Sequence, residues 1–156
     1  MGVEIERKFL LKNDDWRTVE GTFYRQGYLN SNSERTVRVR TIGEKAFLTI
    51  KSKSVGASRS EYEYDIPLAD ANSMLDELCE KPIIEKKRHK VEYKGFVWEI
   101  DEFYGDNEGL ILAEVELTSE DQEFELPSWI GLEVTEDTRY FNANLVSHPY
   151  KDWDKS

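Results

Sequence analysis

Seven stretches of this chain place charged side chains at every second position. That is the repeat of an extended strand, whose successive side chains point to opposite faces. Residues 3–11 set Glu4, Glu6 and Lys8 against Val3, Ile5 and Phe9, and residues 35–42 set Arg38 and Arg40 against Val37 and Val39. Lys51 and Lys53 share one side of 45–53, while Arg59, Glu61, Glu63 and Asp65 share one side of 58–66. Lys86, Arg88, Lys90 and Glu92 line 83–93, Glu99 and Asp101 line 96–103, and Glu114 and Glu116 line 110–118. A chain patterned this way builds sheet, and one face of that sheet is charged.

An eighth stretch, 22–29, is rich in aromatics, which brings the expected strands to eight. Gly43, Gly56 and Gly95 mark short connections between them, so the sheet is antiparallel and meandering. Leu68, Ala71, Met74, Leu75 and Leu78 have helical spacing, and Pro82 ends that segment. A second helix is expected from about Ser119, where an acidic first turn begins, and a third from about Thr138 to Val146. At 156 residues, against about 100–200 per domain, the expectation is one domain over 1–156 with a polar tail at 148–156. The expected class is α+β, mainly β. A sheet of eight strands tends to curl or close into a barrel. The charges then face either water or the barrel interior, and periodicity alone does not choose.

Charge narrows the function. The chain carries −11 overall, which argues against a nucleic-acid or membrane-surface partner, since both need a basic footprint. Yet the charged strand faces hold nine basic and ten acidic residues, so the basic groups are concentrated there. No apolar run approaches the roughly 18 residues of a membrane helix. The N-terminus lacks a signal-peptide layout, and the single Cys79 has no internal disulfide partner, so a reducing cytoplasmic setting is expected. His89 and His148 stand apart, outside any ligand spacing, and read as structural or surface residues. Cys79, Trp16, Trp98, Trp129 and Trp153 read as packing, and Tyr62 and Tyr64 as outer-layer residues. No phosphate-binding Gly-x-x-x-x-Gly-Lys-Ser/Thr loop is present.

The order of the charges carries more chemistry than their number. Glu4-Ile5-Glu6-Arg7-Lys8 puts two carboxylates and an ammonium on one strand face, and Glu114-Val115-Glu116 repeats the carboxylate pair. Carboxylates about 7 Å apart repel unless a cation joins them. Carboxylate oxygen without a His or Cys cluster suits Mg²⁺ or Mn²⁺. Arginine forks and lysine point charges from several strands suit phosphate oxygens. A divalent metal beside a row of cations is what a compact polyphosphate requires.

Those residues resemble the signature Glu-x-Glu-x-Lys strand of the CYTH superfamily, the triphosphate tunnel metalloenzymes. The resemblance continues in order through Arg25–Leu29, Arg38/Arg40, Thr49–Lys51, Ser58–Glu63, Lys86/Arg88, Glu114–Glu116 and Val134–Asp137 with Arg139-Tyr140. It implies an eight-stranded antiparallel closed barrel, or tunnel, with the charges inward and a few flanking helices. It also implies metal-dependent hydrolysis of a triphosphate with two Mg²⁺ or Mn²⁺ ions. Carried over residue by residue, it gives Arg38, Arg40, Lys51, Arg59, Lys86 and Arg88 as phosphate contacts. Glu61, Glu63, Asp101, Glu114 and Glu116 become metal ligands. Glu4 and Glu6 hold a second metal or orient its water, Lys8 sits by the terminal phosphate, and Tyr28 lies near enough to tune Lys8. Lys53, Lys90, Glu92 and Glu99 fit the face with less to commend them. The short chain resembles bacterial inorganic triphosphatases, with a small-molecule triphosphate as partner and a monomer or homodimer as the assembly. The alternatives on the same fold are class IV adenylate cyclase, thiamine-triphosphatase and nucleoside-triphosphatase. Outside enzymes, the alternative is a non-catalytic module that binds polyphosphate or nucleotide.

Overall fold

A computed structural model describes residues 2–32 and 34–153. The eight expected strands are present as β1 (Gly2–Leu11), β2 (Thr22–Asn30), β3 (Arg35–Ile42), β4 (Lys45–Ser52), β5 (Ser58–Asp65), β6 (Ile84–Tyr93), β7 (Phe96–Phe103) and β8 (Ile111–Glu116). They pair antiparallel in the order β5-β4-β3-β2-β6-β7-β8-β1, and a further β1–β5 pairing closes the ring. The β6–β7 hairpin turns on Lys94 (φ 47°) and Gly95 (φ 86°), the double positive φ that a tight two-residue hairpin needs.

Closure resolves the choice that periodicity left open. The charged faces turn inward, and the apolar faces pack against what lies outside. On the outside of β1, β6, β7 and β8, Phe9, Val91, Trp98, Ile100, Ala113 and Val115 meet Trp16, Trp129 and Ile130. Outside β3 and β4, Val39 and Ala46 meet Ala71 and Leu75 of helix α1 (Leu68–Glu77) together with Cys79. A third cluster lies inside one end of the barrel. There the inward positions become apolar at Leu10, Ile84, Phe103 and Leu112, and Tyr140, Leu145, Val146 and Trp153 of the C-terminal segment pack on them.

Three local expectations are corrected. No helix starts at Ser119 among the described residues: Gln122 Oε1 accepts from both the backbone N and the hydroxyl of Thr118, and Phe124 is drawn into the Phe9–Phe96–Trp98 aromatic group. Side-chain capture of backbone donors competes with the first helical turn. In the second case the helix expected over 138–146 is broken. A 3-10 turn spans Thr138–Tyr140, Phe141 is extended (φ −70°, ψ 131°), and helix α2 covers Asn142–Ser147. The break lets Tyr140 enter the apolar plug while Phe141 and Asn142 face the barrel lumen. Thirdly, the segment after His148 is packed rather than trailing: Trp153 is buried against Tyr140 and donates from Nε1 to the His148 carbonyl. Residues 154–156 lie outside the described residues. A ninth strand, β9 (Ile130–Glu133), flanks the C-terminal half of β1 and was not expected.

Candidate active site

The lumen is a cavity of about 560 Å³, in the range of small-molecule sites. Nine lysines and arginines and eight glutamates line it, in a chain that is strongly acidic overall. Strand register decides who meets whom. β1 against β8 sets Lys8 beside Glu114 and Glu6 beside Glu116, and β1 against β5 sets Glu4 beside Arg59.

Most of these charges are paired. Lys8 Nζ lies 2.8 Å from Glu114 Oε1 and 3.2 Å from Glu6 Oε1. Burial would lower the Lys8 ammonium, but Glu114 and Glu6 outweigh it and hold it above its ordinary value. Lys51 Nζ lies 2.9 Å from Glu4 Oε1 and 3.5 Å from Glu61, while Arg59 Nε lies 3.3 Å from Glu4. Burial opposes ionisation of Glu4, yet Lys51 and Arg59 bring it down to about 2. Desolvation opposes ionisation of Glu6 as well, and Lys8 leads the groups that bring it to about 2.

Two regions are left uncompensated, and they have opposite sign. The first is cationic. Asp101 is shared by Lys86 (Nζ to Oδ2, 2.8 Å) and Arg88 (Nε to Oδ1, 2.7 Å; Nη2 to Oδ2, 2.8 Å), and Arg88 Nη1 also reaches Glu99 Oε2 at 3.4 Å. Arg40 has no carboxylate partner among the described residues; its Nε donates to Gln26 Oε1 at 3.0 Å. Arg38 reaches Thr49 Oγ1 at 3.3 Å and Glu63 at 3.8 Å, and its buried Nε has no acceptor. Burial and the neighbouring Arg38 and Arg88 lower Arg40 to about 9. Lys86 falls to about 7, because burial and two further cations outweigh one shared carboxylate. Tyr24 has both Arg40 and Arg88 over its ring, 5.1 Å from the ring centre to each guanidinium carbon, a cation–π contact with each.

The second region is anionic. Glu116 opens to the cavity, and burial together with Glu4, Glu6, Glu99 and Glu61 raises its carboxyl above the ordinary range. Carboxylates crowded in this way favour a hard cation. Among the described residues, no three His, Cys, Asp or Glu side chains already converge as a metal cage. That is compatible with Mg²⁺, which binds one or two carboxylates and takes its remaining ligands from water and substrate phosphate.

The sequence-derived residues therefore share one cavity: Glu4, Glu6, Lys8, Tyr28, Arg38, Arg40, Lys51, Arg59, Glu61, Glu63, Lys86, Arg88, Glu114 and Glu116 all line it. Lys53, Lys90 and Glu99 line it too, and Glu92 does not. Asp101 lies behind the wall, 1% exposed, with both oxygens engaged by cations. Tyr28 lies within electrostatic reach of Arg40 and Arg59, and no hydrogen bond joins it to Lys8 among the described residues. Sequence reasoning missed Tyr24 and Gln26, although both share the face of Tyr28 by the period of two. It also missed Asn142, for which the sequence pattern held no signal.

A model of the CYTH domain matches residues 2–150. The chain is 52% identical over 154 residues to an inorganic triphosphatase of Acetivibrio thermocellus, covering 98% of this chain and 99% of that one. It is 40% identical over 147 residues to an inorganic triphosphatase of Nitrosomonas europaea, covering 92% and 96%. The crystal structure of an inorganic triphosphatase superposes with a TM-score of 0.67 at 38% identity, covering 94% of this chain and 95% of that chain. With a family match over nearly its whole length and relatives this similar, the chain belongs to the CYTH family.

Proposed function

We propose that this protein hydrolyses inorganic triphosphate to phosphate and pyrophosphate with the help of a divalent metal. One observation carries the reading: the cavity gathers Arg38, Arg40, Lys86 and Arg88 at one end, where Arg40 has no carboxylate partner among the described residues and Lys86 and Arg88 share Asp101, and crowds carboxylates around Glu116. A linear polyphosphate neutralises the first group and a divalent cation the second. Relatives at 52% and 40% identity named as inorganic triphosphatases point the same way.

In this reading Arg38, Arg40, Lys51, Arg59, Lys86 and Arg88 bind non-bridging oxygens and hold the chain of phosphates in line. Lys8, fixed between Glu6 and Glu114, lies by the terminal phosphate and offsets charge building there. Glu4, Glu6, Glu114 and Glu116 would hold the metal, as Mg²⁺ or Mn²⁺ and as two ions, with Glu61 and Glu63 on the β5 wall. When bound, the metal neutralises phosphate charge and lowers the pKa of water. A water oxygen bonds to the terminal phosphorus while the bond from that phosphorus to the bridging oxygen breaks. Pyrophosphate leaves with the bonding electron pair, and the water proton passes to solvent or to a carboxylate of the Glu4/Glu6 group.

Phosphate release from tripolyphosphate, ATP and thiamine triphosphate, each with Mg²⁺ and with Mn²⁺, tests this. Tripolyphosphate is expected to be the best substrate, and no turnover is expected without metal. Tight tripolyphosphate binding without phosphate release would make the protein a binding module. Conversion of ATP to cyclic AMP and pyrophosphate would make it a cyclase.

A further inference from the structure

A chain of side-chain hydrogen bonds crosses the cationic end of the cavity. Arg40 Nε donates to Gln26 Oε1 at 3.0 Å, Gln26 Nε2 donates to Asn142 Oδ1 at 3.0 Å, and Lys86 Nζ donates to that same Asn142 oxygen at 3.0 Å. Lysine ammonium and arginine Nε–H are donors only. Arg40 therefore requires Gln26 to show its oxygen, which turns the Gln26 NH₂ toward Asn142. Asn142 must then show its oxygen, and Lys86 demands the same from the other side. Turning the Asn142 amide over would set N–H against N–H at two contacts, so its orientation follows from its neighbours. Its NH₂ group is left over. No described residue accepts from Asn142 Nδ2, and Asn142 lines the cavity beside Arg40 and Lys86.

We infer that Asn142 is a substrate-binding residue whose Nδ2–H donates to a phosphate oxygen of the polyphosphate held at the cationic end. An amide donor has nothing to offer a metal, so Asn142 belongs with the anion and not with the Glu116 group. Its oxygen simultaneously ties α2 to the cation row, so docking of the C-terminal segment and completion of the phosphate site are one event. The inference deepens the triphosphatase reading and rests on it for the identity of the anion.

Asn142→Asp is the discriminating variant. It keeps the size of the side chain and still accepts from Lys86 and Gln26, but it turns the donor toward the cavity into an oxygen. The expected result is a melting temperature no lower than wild type and a KM for tripolyphosphate raised at least about tenfold, the scale of a hydrogen bond to a charged group. The stabilisation that tripolyphosphate gives in a metal-free thermal melt should shrink in parallel. Asn142→Ala should also raise KM, by less, and it answers the question if the Asp variant does not fold. A purely structural strap would leave KM within twofold in both variants and lower the melting temperature in Asn142→Ala alone, and that outcome overturns the inference. If wild type releases no phosphate while Asn142→Asp still loses the tripolyphosphate-induced thermal shift, the hydrolytic reading fails and the role of Asn142 stands.

Discussion

Asp101 illustrates how a residue of the right chemical type is given a different task by its partners. Its strand position and charge suited a metal ligand, but Arg88 and Lys86 occupy both oxygens, and the carboxylate is brought to about 2 against the raising effect of burial, first by Arg88 and then by Lys86. We expect it to orient cations rather than to hold metal. Asp101→Asn leaves buried Lys86 without a carboxylate partner and Arg88 with Glu99 alone, and should destabilise the metal-free protein by about 3–5 kcal/mol, the usual result of breaking a buried pair from one side. In thermal melts, tripolyphosphate alone should restore part of that loss and Mg²⁺ alone should not; rescue by Mg²⁺ would return Asp101 to the metal. Glu116 gives the converse case, because its neighbours repel it. Glu116→Gln should leave the metal-free protein at least as stable as wild type. It should also raise the half-saturating Mg²⁺ concentration for phosphate release at least about tenfold, the lower end of what disturbing a metal environment produces.

The elements were legible in proportion to the length of their pattern. β3, β6 and β7 each run eight to ten residues with charges two apart on the inward face, and a glycine follows each within two residues, so the sequence specifies them locally. β9 has four residues and no room to show a period. Ser119 had the composition of a helix start but lacked an apolar stripe to follow it. Which face of the sheet turns inward was not written in any one strand; it depends on closure through the four-residue β1–β5 pairing, a contact between distant parts of the chain. The same limit hid Asn142, whose role depends on Phe141 being extended and on the distant partners Gln26 and Lys86. Gly27 is a tertiary requirement of similar kind. A Cβ there would lie 2.9 Å from Cys79 Cβ and 3.1 Å from Leu75 Cδ2, so its absence is what lets the end of α1 close onto β2. Gly27→Ala should lower stability by about 1–3 kcal/mol through overpacking, read from denaturant unfolding. An unchanged midpoint would mean that α1 shifts at no cost.

At the scale of the whole molecule, the barrel keeps its charges within and its apolar packing outside except for the plug at one end, so the ligand-free protein carries buried charge that a triphosphate is suited to neutralise. This couples stability to pH with a definite sign. The Lys86 ammonium titrates near 10.5 in an unfolded chain and at about 7 in the folded one, where burial, Arg88 and Arg40 outweigh Asp101. Between those values the unfolded chain holds a proton that the folded protein has released, so unfolding takes up a proton and stability rises with pH. The contribution is complete above the unfolded value and is lost as pH falls toward 7. From pH 7 to 9 the metal-free, substrate-free protein should gain on the order of 2 kcal/mol, measured by denaturant unfolding at fixed ionic strength. If tripolyphosphate binds here as proposed, it supplies the missing counter-charge and raises the folded-state pKa, so at saturation the slope should flatten while stability at pH 7 increases. Binding near neutral pH should then take up protons, which calorimetry in buffers of different ionisation enthalpy detects. Lys86→Met removes the titrating group and should flatten the same slope without ligand. A slope that survives in that variant would place the titration on another residue and remove Lys86 from the surplus of charge on which the anion site depends.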